Sequence, residues 1–231
     1  MTVGDVIPLA MLGAVLGLDV VSFPQAMISR PIVAATLAGA LVGDAGMGLF
    51  IGAVLELFAL EMLAVGAARY PEWGSAAVVG GALFASEPHA DSRATATALA
   101  ASVSAALVIA WLGGWSMYAL RRLNGAAAKR RLAALDRGSR DAVLALQLGG
   151  LSADLARGAI LTGLALAALA PLSARVARVW AVEPGLSEVA ILGLACAAAG
   201  SASWRLFRGT SGARRLFAAG IAIGVALLMF R

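Results

Sequence analysis

The stretch SRPIVAATLAGALVGDAGMGLFIGAVLELFAL, residues 29–60, is oily enough to enter a bilayer, yet it carries Asp44 in its middle and Glu56 near its end. It is also interrupted by GDAG at 43–46. A helix needs about 20 residues to cross the hydrocarbon core. The run 31–43 is too short for that, offering roughly 20 Å of helix at ~1.5 Å per residue. Non-helical backbone at membrane depth leaves unpaired N–H and C=O groups unless protein buries it or a water-filled cavity receives it. Gly43 and Gly46 suit such a break, because glycine takes positive φ without strain. The stretch therefore predicts a re-entrant helical hairpin, 31–43 down and 47–60 back, with Asp44 at its tip. Pro31 fits the start of the first arm, since proline is favoured in a helix's first turn.

The rest of the chain puts this hairpin in lipid. Hydrophobic residues make up 61 % of the 231 and charged ones 13 %, with a mean hydropathy of +0.89. Soluble domains are about 45–50 % apolar and about 25 % charged. The expected fold is all-α: a polytopic integral membrane protein with re-entrant or broken helices in its N-terminal half, forming a single membrane domain over 1–231. Residues 1–92 hold the hairpin, 93–120 a span, 121–152 a basic cytoplasmic loop followed by an interfacial helix over 141–152, and 153–231 the C-terminal spans. By length 94–120, 157–181, 186–204 and 214–230 can each cross and 6–21 marginally so, whereas 74–86 is as short as a hairpin arm. The start MTVGDVIPLAMLGAVLG lacks the positive charge of a secretory signal and reads as a retained first segment.

The net charge of +5 does not point to nucleic acid, because the basic residues fall between the apolar runs. Cytoplasmic loops of membrane proteins collect Lys and Arg. RRLNGAAAKRRLAALDRGSR at 121–140 and RLFRGTSGARR at 205–215 are therefore expected inside, with SEPHADSR at 86–93 and its His89 outside and solvated. Arg175 and Arg178, at the outer end of a span, would snorkel. The single cysteine, Cys196, excludes an internal disulfide and any cysteine cluster for a metal. No Gly-x-Ser-x-Gly nucleophile turn is present. No catalytic residue, metal or cofactor is expected.

The carboxylates are the candidate functional groups. A charge at the bilayer centre costs at least about 2.5–3.5 kcal/mol, and such residues usually face a cavity or pathway. Asp19, Asp44, Glu56 and Glu61 qualify, with Glu56 foremost. Glu61 lies five positions on, about 500° around the helix, and does not share its face. Asp19 and Asp44 equally suit helix capping at an interface. A cavity of carboxylates and backbone amides suits a neutral polyhydroxylated ligand, since charge-assisted hydrogen bonds are strong, and it suits a cation as well. Gly39-x-x-x-Gly43, Gly48-x-x-x-Gly52, Gly13-x-x-x-Gly17 and Gly220-x-x-x-Gly224 each put two glycines on one face, where backbones approach closely.

SRPIVAATLAGALVGD, then GLFIGAVLELFAL, then VGAARYP together resemble the membrane IIC subunit of the mannose/fructose/sorbose class of the bacterial phosphotransferase system, over roughly residues 17–86. The resemblance implies a multi-pass protein of the bacterial inner membrane that translocates a hexose-like sugar with a second membrane subunit, IID. The partners would be homo-oligomeric copies, IID, and cytoplasmic IIA and IIB subunits that relay phosphate from phosphoenolpyruvate. The assembled complex would be the sugar phosphotransferase, and this chain its transport subunit. By motif position Glu56, Gly66, Ala67 and Ala68 would lie near the sugar, Asp44 would close the Gly-Asp turn, and Asp19 and Glu61 are candidate pathway residues. Arg69, after the Gly-Ala-Ala, could pair with Glu72. Two other classes fit the same features: an autonomous ion- or proton-coupled transporter, and a non-transporting scaffold or sensor that docks partners on the 121–140 segment.

Overall fold

The hairpin forms where the break puts it. In the computed structural model, which describes residues 3–60, 69–182 and 184–229, α2 (Pro31–Leu41) and α3 (Ala45–Ala59) fold back on each other across 42–44. Here α1 is Val3–Asp19, the helix that precedes the hairpin. Gly43 takes a φ of +100° in the turn, and Asp44 caps α3 by accepting a hydrogen bond from Met47 N at 2.9 Å. The arms are roughly 17 and 23 Å long, so neither crosses a hydrocarbon core of about 30 Å. Glycine lets them touch backbone to backbone. A β-carbon on Gly39 would lie 2.5 Å from the Asp44 carbonyl oxygen and 2.7 Å from Gly48 Cα, and one on Gly52 would lie 2.9 Å from Ile32 Cα.

The hairpin packs on α4 (Trp73–Ala85), the centre of the molecule. All thirteen residues of α4, WGSAAVVGGALFA, are buried. A helix that is apolar all round belongs inside, and the small side chains let neighbours approach on every side. Gly81 faces Ala35 of α2, where an added β-carbon would be 2.7 Å from Ala35 Cα, and Gly80 faces Ala106 at 3.0 Å. On another flank a β-carbon on Gly74 would meet the Leu16 carbonyl oxygen of α1 at 2.5 Å.

Two long helices support this core. They are α5 (Ser92–Arg130) and α7 (Arg140–Val182), joined through the short α6 (Leu132–Asp136). At 39 and 43 residues they are roughly 59 and 65 Å long, about twice the hydrocarbon thickness. The basic 121–140 stretch is therefore mostly helix, where a loop is expected from its charge. The expected interfacial helix 141–152 is the continuous start of α7. The reason is local: Ala, Leu, Arg and Lys dominate 121–137 and are strong helix formers. The chain breaks near Gly138, at φ +72°. α1 crosses α7 closely, with Gly13 against Thr162 and Gly158 against Ala14, where an added β-carbon would be 2.9 Å from Ala14 Cα.

α8 (Pro184–Phe207) and α9 (Ala213–Met229) complete the described residues. α5, α7 and α8 contain segments long and apolar enough to cross a membrane. α1 and α9, at 17 residues each, stand at the short end of the spanning range. α9 packs only on α8 among the described helices. The chain is thus an all-α polytopic membrane protein whose N-terminal half is built from broken helices.

Candidate functional site

At the open end of the hairpin, Glu56 sits in the last turns of α3. Its Oε1 pairs with Arg30 Nη2, and its Oε2 accepts from Ile32 N at 3.2 Å. Arg30 is the residue before Pro31, the first residue of α2, so the carboxylate stands at a helix N-terminus where negative charge is favoured. Asp44 is at the other end of the same helix, twelve positions or roughly 18 Å away. The two carboxylates do not share one pocket. Glu61, Gly66, Ala67 and Ala68 lie outside the described residues.

Asp19 is buried at the end of α1, where it organises residues 20–30. Its Oδ1 accepts from Ala26 N at 2.7 Å and its Oδ2 from Ser29 N at 2.9 Å. This loop turns through Gln25 and Met27, both at positive φ, and contains the cis Phe23–Pro24 bond. Asp19→Ala would leave two amides without their acceptor, a cost of about 1–3 kcal/mol for each one left buried. The expected result is faster cleavage by a nonspecific protease within 20–30, read by mass spectrometry, with the remaining fragments intact.

A second polar group, not anticipated from the sequence, connects four parts of the chain. Glu72 is fully buried and caps α4, its Oε1 accepting from Ser75 N at 3.0 Å, while its own N–H donates to the Ala110 carbonyl of α5 at 2.9 Å. Arg157 of α7 faces it, with Nη1 4.0 Å from Glu72 Oε2. Arg157 Nε donates to Asp154 Oδ1 at 2.8 Å, and Nη1 donates to Ser116 Oγ of α5 at 3.4 Å. Ser22 Oγ, from the loop that Asp19 holds, donates to Asp154 Oδ2 at 2.5 Å. Glycines close the walls. Gly113 leaves room for Glu72, where a β-carbon would be 2.8 Å from Glu72 Cβ, and a β-carbon on Gly17 would be 3.3 Å from Arg157 Nη2. Beside this group Arg121 lies over the Tyr70 ring, 4.9 Å from its centroid, and donates to the Tyr70 hydroxyl.

The expected Arg69–Glu72 pairing is not what forms: Arg69 is exposed, and the cation facing Glu72 is Arg157. The signal for this group was present in weak form. An acid precedes a thirteen-residue apolar run, and an Asp–Arg pair at i, i+3 opens another; charged groups at such places in a membrane chain are functional candidates by default. What no spacing reveals is that 72, 116 and 154–157 meet. His89 also differs from the solvated residue expected, packing edge-on against Phe84 with ring centroids 4.8 Å apart. Among the described residues no three of His, Cys, Asp and Glu converge as metal ligands.

These features define a class first: helical membrane proteins in which short, broken helices enclose ionisable side chains. The family follows from comparison with known proteins. Residues 4–179 match the family of the sorbose-specific IIC component of the phosphotransferase system, and the chain belongs to that family. It is 35 % identical over 100 residues to the fructose permease IIC component of Bacillus subtilis (strain 168). That match spans 42 % of this chain and 37 % of the permease, little more than a third of the relative's length. Two solved structures share the fold. One is described as a membrane protein, at a TM-score of 0.62 and 18 % identity, with 100 % of this chain and 96 % of that chain covered. The other is the mannose transporter ManYZ in complex with a microcin, at a TM-score of 0.55 and 20 % identity, covering 97 % of this chain and 87 % of that one.

Proposed function

We propose that this chain is the sugar-translocating subunit of a phosphotransferase complex in a bacterial inner membrane. In that reading it shapes the sugar site and pathway with a IID subunit, while IIA and IIB bring phosphate from the cytoplasm. The observation that carries the reading is the carboxylate–guanidinium group of Glu72, Asp154 and Arg157, enclosed by small-residue helices at membrane depth. Carboxylates accept hydrogen bonds from sugar hydroxyls and a guanidinium donates to them, so the set suits a neutral polyhydroxylated molecule. Ser116 is five positions, roughly 8 Å of rise, from the start of the basic stretch at Arg121. By the positive-inside rule the group then lies in the cytoplasmic half, the side from which phosphate would come.

Glu56 with Gly66, Ala67 and Ala68 is the proposed sugar contact, Asp44 the fixed tip of the hairpin, and Asp19 and Glu61 the pathway candidates. An ion-coupled transporter is less well supported. The family to which the chain belongs, that of the sorbose-specific IIC component of the phosphotransferase system, favours the phosphate-linked reading over an ion-coupled one.

The test is phosphoenolpyruvate-dependent sugar phosphorylation by membranes carrying the chain with its partner subunits. Glu56→Gln is expected to weaken sugar binding about tenfold to a hundredfold, the worth of one hydrogen bond to a charged group, while the complex still assembles. Arg30→Gln separates the roles. If Glu56 serves only to tie the hairpin base, both variants lose stability and activity in parallel. Unchanged phosphorylation by Glu56→Gln would overturn the assignment, and uptake driven by a proton gradient without phosphoenolpyruvate would overturn the function.

A further inference from the structure

Thr162 of α7 is fully buried, and its hydroxyl has no hydrogen-bond partner. Helical Ser and Thr can turn the hydroxyl back to the carbonyl four residues earlier. Thr36, Thr97 and Ser104 do so, at 2.6, 3.0 and 2.8 Å. Thr162 does not. Its Oγ1 lies against α1 instead, where a β-carbon on Gly13 would overlap it. Valine would fill the same space without a polar atom. A buried hydroxyl that nothing meets costs about 1–3 kcal/mol, so the position favours a ligand that meets it.

One turn along α1 the pattern repeats. A β-carbon on Gly17 would lie 3.1 Å from Ser75 Oγ, 3.3 Å from Arg157 Nη2 and 3.7 Å from Glu72 Oε1. Arg157 Nη2 is likewise buried and without a hydrogen-bond partner, on a side chain only 9 % exposed. In the hairpin, glycines meet backbone. Gly13 and Gly17 meet the polar ends of side chains from α4 and α7. The Gly13 carbonyl accepts from Ser75 Oγ at 3.3 Å, but α1 gives Thr162 Oγ1 and Arg157 Nη2 nothing. α1 therefore covers a row of donors without satisfying it, and the two orphans face glycines four positions, roughly 6 Å, apart. Unmet polar groups at membrane depth are costly, and a cover of bare glycines holds them by shape alone. The charges around the row cancel, Glu72 and Asp154 against Arg157 and the neighbouring Arg121. The row thus suits a neutral molecule rich in hydroxyls, which both donate and accept.

We infer that the α1–α7 seam is a hydroxyl-recognition subsite of the sugar pathway, where Thr162 Oγ1 and Arg157 Nη2 bind hydroxyls of one sugar once α1 moves off them at Gly13 and Gly17. The inference rests on the translocation reading above and adds Thr162 to the residues that select the sugar.

The experiment compares Thr162→Val and Thr162→Ser in membranes carrying the chain with its partner subunits, using whichever of mannose, fructose and sorbose the parent phosphorylates. Thr162→Val should raise KM about tenfold, the worth of one hydrogen bond, with kcat and heat stability unchanged. Thr162→Ser should keep the parental KM. Of the monodeoxy forms of that sugar, one should lose affinity for the parent and lose nothing further in Thr162→Val. A second readout is labelling of a Thr162→Cys variant by N-ethylmaleimide, in a Cys196→Ser background. Sugar at ten times the variant's KM should slow it about tenfold by occupancy. An unchanged KM in Thr162→Val, or a fall in its heat stability without a change in KM, overturns the inference. So does labelling that sugar does not slow, or no labelling at all, which would mean that α1 never leaves the seam. A parent that phosphorylates none of the three sugars would overturn the phosphotransferase reading instead, and the seam would then stand or fall on protection of the Thr162→Cys variant by the same sugars at saturating concentration.

Discussion

Arg157→Met is expected to destabilise the protein by about 3–5 kcal/mol, the usual cost of removing one partner from a buried ionic group. Arg157 has only 9 % of its side chain exposed and faces Glu72, which has none. Without the guanidinium, Glu72 keeps its bond from Ser75 N, and Asp154 keeps the one from Ser22, but both charges lose their counter-ion where water cannot replace it. At about 2–4 °C per kcal/mol for a chain of this size, the apparent Tm in detergent should fall by about 6–20 °C. Size-exclusion chromatography after a series of heating steps reads it directly. Glu72→Gln added to Arg157→Met should restore part of the loss, because it removes one of the two stranded charges. Asp154 accounts for the remainder. An Arg157→Met protein as heat-stable as the parent would mean that water reaches the group, and the enclosed site described above would be wrong.

Gly48→Leu should open the hairpin. A β-carbon at this position overlaps the Ala35 carbonyl oxygen and lies 3.0 Å from Gly39 Cα. Both obstacles are backbone, so no rotamer change relieves them. Overpacking of this kind costs about 1–3 kcal/mol, occasionally more where side chains cannot yield. The upper end applies here, because α2 would also be pushed from α4, against which Gly81 and Ala35 are already in contact. Gly193→Leu, on α8 with nothing near its β-carbon position, is the matched control and should be neutral or slightly stabilising, as leucine favours helix over glycine by somewhat under 1 kcal/mol. Equal heat stability of the two variants would show that the arms do not pack as described. A cysteine pair across the arms, formed in the parent background and lost with Gly48→Leu, would give the same answer independently.

Much of this architecture was legible in the chain. The two arms observed, 31–41 and 45–59, fall within two residues of the hairpin expected from Pro31 and GDAG. Punctuation by glycine and proline is a local steric matter, so it survives without knowledge of the fold. The Arg-Pro, Gly-Asp, Leu-Glu and Gly-Ala-Ala motifs carry the family resemblance for the same reason, being contiguous and ordered. The basic stretch misled because charge reports which side of the membrane a segment occupies, while helix propensity decides whether it is a loop. There Ala, Leu, Arg and Lys made helix of it.

The carboxylates mark the limit. Asp19, Asp44 and Glu56 were singled out as acids in an apolar chain, and all three prove to answer backbone amides near a helix end or in a turn. Glu72 drew notice only as a partner for Arg69, and its meeting with Arg157, 85 positions away, depends on how α4, α5 and α7 pack. Four Gly-x-x-x-Gly pairs look alike in the sequence. Gly39, Gly48, Gly52, Gly13 and Gly17 press against neighbours and Gly43 turns the chain at positive φ, whereas Gly220 and Gly224 line an open groove. Composition, length and local stereochemistry thus determined by themselves that this is a helical membrane protein with a broken N-terminal half. Which charges are joined, and which glycines are contacts rather than openings, only the tertiary structure decided, because those are relations between surfaces distant in the chain.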